Sequence, residues 1–248
     1  MNSSEIKPKN NDITSQHLVA KDNELIMASY SISVEEQRLL LACMEKAFRN
    51  KERSTNVPIK VTLTVNEYAK IYSVSMSAAY RALGTSTAKL YERSIRMNSE
   101  GVRREVRWLQ EKAIYDSGKT TLIFSSIISQ HIYDIVTKRS IYRLEQATQL
   151  RSQHAIRLFE IFQIAINKET QEGIWEVSLS SLRDLLELPS AYDRWIDLRK
   201  RIIEESLRQI NKNTSLKVDW EVAKKEGRQI VAVRFFVVEL NQLSLGLD

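Results

Sequence analysis

Apolar positions along this chain switch between a period near 3.6 residues and a period of two, and the switches mark element boundaries. Residues 1–22 are polar and without periodicity, and read as a tail, with order beginning near Leu25. Ser33 to Phe48 predicts an amphipathic helix with Leu39, Leu40, Cys43, Met44 and Ala47 inward. Ser33 and Glu36 have the spacing of a capping box. A polar loop follows, then a short strand at Ile59–Leu63 and a helix opened by Thr64. A longer helix is predicted over Ser75–Ile95, with Ala79, Leu83 and Leu90 on one face and Gly84 inside. Val102–Gln110 and Thr120–Ser125 read as strands around the turn signal Asp116-Ser117-Gly118. A short helix at Ile127–Val136 closes this half.

The second half repeats the order. A strongly apolar helix spans 149–167, a short strand covers Trp175–Val177, and a helix runs from Ser178 to Leu188, stopped by Pro189. Ala191–Asn211 predicts one long helix. Leu216–Val222 and Gln229–Val238 are two strands around the turn Lys224-Lys225-Glu226-Gly227. Two stretches carry the repeat in residues. Thr64 to Val74 lies over Ser178 to Leu188 without a gap, pairing Val65/Leu179, Tyr68/Leu182, Ile71/Leu185 and Val74/Leu188 behind a hydroxyl N-cap. Val106-Arg107-Trp108 lies over Val218-Asp219-Trp220. The fold class expected is therefore α+β and helix-rich: two tandem winged-helix domains related by internal duplication. The expected boundaries are a tail at 1–22, a first domain at 23–139, a second at 140–240 and a tail at 241–248.

In a winged helix one helix enters the major groove of DNA and the ribbon reaches flanking phosphates. In the second unit Trp195, Leu198, Ile202, Ser206 and Ile210 form the inward stripe, leaving Asp193, Asp197, Lys200 and Arg201 on the far face and Arg194 to one side. Arg can take guanine bidentately and Asp can accept from cytosine. The ribbon adds Lys224, Lys225 and Arg228. In the first unit Ala78, Arg81, Thr85 and Lys89 project away from the apolar stripe, and Arg103, Arg104 and Arg107 crowd the start of the hairpin. The alternative is a solvated helix face laced with ion pairs, Asp197 with Arg201 for instance.

Charge sharpens the picture. The net charge is +6 over 248 residues. Residues 145–248 hold 15 Lys/Arg and 16 Asp/Glu, so residues 1–144 hold the remaining 22 and 15 and carry the basicity. A polyanionic partner fits that balance. Only six Gly and three Pro argue against a linker-like chain, and no apolar run reaches the roughly 18 residues of a membrane span. The single Cys43 excludes an internal disulfide and a thiolate metal cage, and a reducing, cytoplasmic setting is expected. No G-x-x-x-x-G-K-[ST] loop occurs; Gly118-Lys119-Thr120 resembles only its tail. His17, His131 and His154 are scattered and form no His-apolar-His metal pair. His154 and Cys43 read as packing residues. No catalytic residue, metal or cofactor is expected.

Several stretches, in order, resemble the initiator Rep proteins of iteron plasmids, the family that includes the F-plasmid initiator. They are Asn23-x-Leu25-Ile26-x-Ala28-x-Tyr30-x-Ile32-Ser33-x-x-Glu36-x-Arg38-Leu39-Leu40, Thr64 to Ala69, Ala79-Tyr80-Arg81-x-Leu83, and Ser152-x-x-Ala155-Ile156-Arg157-Leu158-Phe159-Glu160. Leu188-Pro189-x-x-Tyr192, Leu198-Arg199-Lys200-Arg201 and the ribbon from Lys224 to Arg228 complete the series. The resemblance implies a plasmid replication initiator that binds directly repeated double-stranded DNA sites as a monomer. It also implies a homodimer, paired chiefly through the first domain, that represses its own gene at an operator. Melting of an adjacent AT-rich segment and recruitment of the host initiator and helicase are further implications. Trp195-Ile196 departs from relatives with a Pro nearby, which bears on where the second helix starts. The alternatives are a tandem winged-helix transcriptional repressor without an origin role and an adaptor that binds only protein.

Overall fold

A computed structural model describes residues 17–50, 58–99, 101–133 and 139–240, and its first strand lies where the sequence predicts a tail. β1 (Leu18–Asp22) pairs antiparallel with β7 (Arg139–Arg143) and buries Val19, Ala20, Lys21 and Asp22. Two of those four residues are charged, so hydropathy gives no sign of the strand. Its partner lies at the far end of the first half, beyond any local pattern. The remainder of the expected tails, 1–16 and 241–248, falls outside the described residues, and the boundary expected after 139 falls inside β7.

The first unit follows. α1 (Asn23–Met27) is capped by Asp22, which accepts from the Glu24 amide at 2.7 Å. α2 (Val34–Arg49) opens with the predicted capping box. β2 (Lys60–Thr64) leads into α3 (Val65–Tyr72), capped reciprocally by Thr64 and Glu67. α4 (Met76–Tyr91) ends a turn earlier than predicted. Ser94–Ser99 leaves the helix as β3 and pairs with β4 (Val102–Arg107), so Ile95 and Met97 alternate inward with period two. β5 (Leu109–Tyr115) and β6 (Lys119–Phe124) form a separate hairpin, and β2 adds to it in the order β2-β6-β5. The predicted strand at 102–110 is thus two strands, broken at Trp108. α5 (Ser126–Tyr133), β7 and α6 (Leu144–Thr148) complete this part. Residues 134–136 of the predicted last helix lie outside the described residues.

The second unit comprises α7 (Gln153–Ala165), β8 (Glu172–Ser178), α8 (Leu179–Leu186), a long helical rod, β9 (Leu216–Glu226) and β10 (Gln229–Glu239). Its sheet order is β8-β10-β9, the same topology as β2-β6-β5. The rod is not the uniform helix predicted. A 3₁₀ turn (Ser190–Tyr192) precedes α9 (Trp195–Asp197), a π-helical stretch (Leu198–Glu204) and α10 (Glu205–Asn213). The inward stripe explains this. Leu198, Ile202, Ser206 and Ile210 repeat every four residues and are all buried. On a 3.6-residue helix that spacing drifts by about 40° per turn. Widening part of the rod cancels the drift and lets Ile203 turn inward beside Ile202.

The duplication extends to backbone detail. Thr64 and Ser178 each accept from the amide three residues on. Ser73 and Glu187, nine residues further, both take the left-handed conformation, at φ 50° and 46°. Val74 donates to Ala69 O and Leu188 to Arg183 O, at 3.1 and 3.0 Å. A non-glycine left-handed residue costs about 1–2 kcal/mol, and the same strained turn occupies the same position in both units. The second sequence correspondence does not hold. Val106-Arg107-Trp108 runs from the end of β4 into the break before β5, whereas Val218-Asp219-Trp220 lies inside β9, the counterpart of β5. β3–β4 is an insertion confined to the first unit. Trp108 is fully buried edge-on to Tyr30, while Trp220 packs half-buried against Trp195.

Each unit keeps its own three-stranded sheet, but the buried side chains run without a break from Val19 to Val237. α7 is the bridge: it packs on α10 and β8 on one side and on α1 and β7 on the other.

Candidate nucleic-acid interface

α4 is the second helix of the first helix-turn-helix, and its buried stripe of Ala79, Leu83, Ser86, Thr87 and Leu90 decides which side chains face out. Arg81, Thr85 and Lys89 are exposed, and Ala78 is half-buried at the first turn. Met76 and Tyr80 are also about half exposed, which is uncommon for side chains so apolar. They sit just off the stripe, a position that helical periodicity alone could have shown. The turn of the β5–β6 wing folds back onto this end of α4. Gly118, at φ 74°, accepts from the Val65 amide at 2.9 Å. A β-carbon there would stand 3.1 Å from Val65 Cγ2 and 3.8 Å from Tyr80 Cδ2. The wing ends level with β2 (Thr64 opposite Lys119), so it is short.

The three arginines at 103–107 are not on that wing. They lie on the inserted hairpin β3–β4, where Arg103 and Arg104 face the second unit and Arg107 faces the end of α4. Arg103 and Arg104 line a cleft of about 550 Å³ with Arg96, Glu105 and Asp184. Arg96 pairs with Glu187 at 2.7 Å, and Arg107 stands 3.7 Å from Glu92. The arginines expected at the start of the wing hairpin therefore belong to a different hairpin. The hairpin joins the two units, and carboxylates of α8 and its turn face it.

In the second unit Asp193, Arg194, Lys200 and Arg201 are exposed. Asp197 is partly covered by two arginines, Arg194 at 3.8 Å and Arg201 at 3.6 Å, so the ion pair anticipated as the alternative is present. Arg199 turns sideways to Glu204 at 3.3 Å. Arg183 donates to Asp193 O at 2.9 Å and ties α8 to the start of the rod. The β9–β10 wing is long. Its strands run on to Glu226 and Gln229 around the two-residue turn Gly227-Arg228, so Lys224 and Lys225 lie in β9 rather than in the turn. The turn meets the rod across a cleft of about 550 Å³ lined by Leu179, Arg183, Asp193, Trp195, Arg228 and Ile230. Lys224 pairs with Glu226 at 2.9 Å. Arg81, Lys89, Arg103, Arg104, Lys200, Lys225 and Arg228 find no ion-pair partner among the described residues. Unpaired exposed cations are the form in which a protein can neutralise phosphates.

Cys43 and His154 are packed side chains. Burial holds the Cys43 thiol far above its ordinary range. Burial also pushes His154 down to about 4; its ring packs edge-on to Tyr192. Asp22, Glu24 and His131 bring one ligand atom each within 4.8 Å of one another. Asp22 already caps α1 and faces His131 Nδ1 at 3.4 Å, which accounts for the cluster without an ion. Among the described residues no helix is long and apolar enough to cross a membrane.

Comparison with known proteins matches two winged-helix parts in order, the first match taking in most of α7. The family model described as Initiator Replication protein, WH1, matches residues 18–163, and Initiator Rep protein, WH2, matches 178–237. A replication initiation protein of Escherichia coli is 26% identical over 231 residues, covering 92% of this chain and 71% of its own. Among solved structures, the Pi initiator protein in complex with iteron DNA superposes with a TM-score of 0.70 at 17% identity, over 90% of this chain and 98% of that one. Domains 2 and 3 of RctB superpose at 0.50 and 12% identity, over 88% and 85%. At these identities the structural likenesses show the fold.

Proposed function

Because this chain belongs to the initiator replication protein family and carries both of its winged-helix parts in order, we propose that it is a non-catalytic plasmid replication initiator that reads repeated double-stranded DNA at its origin. The observation that carries the reading is the doubled helix-turn-helix, down to the matched strained turns at Ser73 and Glu187, each followed by a rod with an exposed cationic row. In this reading α4 and the 195–213 rod enter successive major grooves. Arg81, Lys200 and Arg201 face base edges or adjacent phosphates, and Lys224, Lys225 and Arg228 on the long wing hold the backbone. Phosphate contacts set register and base contacts specify. A single chain spans one repeat; a homodimer in exchange with it would repress at an operator. Bending of the bound site would favour melting of a neighbouring AT-rich stretch, where the host initiator and helicase would join. The likeness to an initiator crystallised on iteron DNA supports the DNA part. The test is binding to duplex DNA selected by the chain itself, measured across a salt series. About 6–10 neutralised phosphates give a log–log slope near −5 to −9. A flat salt dependence, or no duplex selected, would overturn the proposal.

A further inference from the structure

The two units meet through charged side chains that water does not reach. Lys21 on β1 and Glu160 on α7 pair at 2.7 Å, each side chain 1% exposed. The Tyr142 hydroxyl donates to the same carboxylate oxygen at 2.6 Å. One turn back on α7, Arg157 donates to Ile26 O and Ala28 O, both at 2.8 Å, and to the Tyr30 hydroxyl at 2.6 Å, with its guanidinium 3.8 Å from the Tyr30 ring centroid. Burial disfavours the charge on Lys21, but Glu160 and Tyr30 together outweigh that, so the ammonium holds its proton more tightly than usual. The Glu160 carboxylate, likewise penalised by burial, is held below its ordinary range by Lys21 and Arg157.

A cluster of this kind contributes little net stability, since well-packed apolar residues often do as well; what it can supply is a unique arrangement. Its bonds are directional and all cross the same joint. α7 is the first helix of the second unit, and Arg157 and Glu160 lie on the side that meets α1 and β1. Turning the second unit on the first would draw Arg157 off the two carbonyls at the C-terminal end of α1 and separate Lys21 from Glu160, leaving charges buried and unpaired. Arg96–Glu187 adds a weaker, exposed tie between the inserted hairpin and the turn of the second helix-turn-helix.

We propose that Lys21, Tyr30, Tyr142, Arg157 and Glu160 are positioning residues that hold α4 and the 195–213 rod at one span, and so set the half-site spacing that a single chain reads. The inference rests on the DNA-reading proposal above for its consequence, though not for the joint itself. One inserted base pair moves a half-site by about 3.4 Å and turns it by about 34°, and a rigid joint cannot follow.

The experiment uses the full chain, the double variant Lys21→Met/Glu160→Gln, and Tyr30→Phe, which removes a single hydroxyl and keeps every charge. Spin labels at Asn66→Cys on α3 and Lys212→Cys on α10 report the span; buried Cys43 escapes labelling. In parallel, a duplex selected by the unaltered chain is rebuilt with one or two base pairs inserted between its protected halves. The expected result is one narrow distance for the unaltered chain and a loss of about tenfold or more in affinity per inserted pair, in the range of a mismatch. The variants should broaden the distance and shrink that ratio to about threefold or less, while remaining folded by circular dichroism. A merely structural role would lower affinity for all spacings alike and leave the ratio unchanged. An unchanged narrow distance in Tyr30→Phe and in whichever variants fold overturns the joint. A chain that selects no duplex overturns the DNA reading, and the distance distribution still judges the joint.

Discussion

Gly84 offers a test in which stability and binding are expected to move in opposite directions. It lies inside α4, one turn after Arg81 and beside exposed Thr85. Its φ is not in the left-handed region, and a β-carbon built there meets nothing within 4 Å. No turn or buried neighbour therefore requires glycine. An internal glycine costs a helix about 0.8–1.0 kcal/mol relative to alanine. Gly84→Ala should stabilise the chain by close to 1 kcal/mol, or raise Tm by about 2–4 °C at this chain length. Urea unfolding followed by circular dichroism measures the first quantity and a thermal scan the second. If α4 lies in a major groove with this face toward the DNA, the added methyl intrudes where the helix backbone approaches most closely. The cost would fall in the overpacking range of about 1–3 kcal/mol, a loss of roughly 5- to 150-fold in affinity. The stability argument fails if the variant unfolds more easily, because the site would then not be the open helical face described. The groove argument fails if the stabilised variant binds its selected duplex unchanged.

Three further outcomes are expected. Gly173→Ala should destabilise by about 1–3 kcal/mol or more, because its β-carbon would lie 2.2 Å from Ala165 O; an unchanged midpoint in a urea titration would contradict the close approach of β8 to the end of α7. Buried His154 stays neutral down to about pH 4, whereas in the unfolded chain it takes a proton near pH 6.5. Its contribution is therefore complete above pH 6.5 and declines as pH falls from 6.5 to 4, by up to about 3 kcal/mol; His154→Gln should flatten that part of the stability–pH curve, and an identical slope would refute the assignment. Arg201→Ala should cost about 1–3 kcal/mol and relax one base position if the side chain reads a base, which a binding-site selection compares directly; a uniform loss over all sequences would make it a phosphate contact.

Local chemistry determined a large part of this molecule. The capping box at Ser33, the paired N-caps Thr64 and Ser178, and the outward rows on α4 and on the second rod were legible in the sequence. Each depends on residues three to seven positions apart, where helical periodicity and side-chain reach act without help from the rest of the chain. The ordered resemblance to plasmid initiators was legible for the same reason, its motifs being short local runs. Tertiary structure alone decided the rest. β1 reads as tail because two of its five residues are charged, and only the pairing with β7, Glu160 against Lys21 and the α1 cap at Asp22 turn those charges inward. The β3–β4 hairpin reads as the end of one helix and the start of another strand, since β-pairing is set by partners that a local window does not contain. The helical rod was found, but its π-helical stretch exists because a four-residue stripe must stay against one fixed core. The buried joint between Lys21, Arg157 and Glu160 could be anticipated from no spacing, because its members come together only when both units fold against one another.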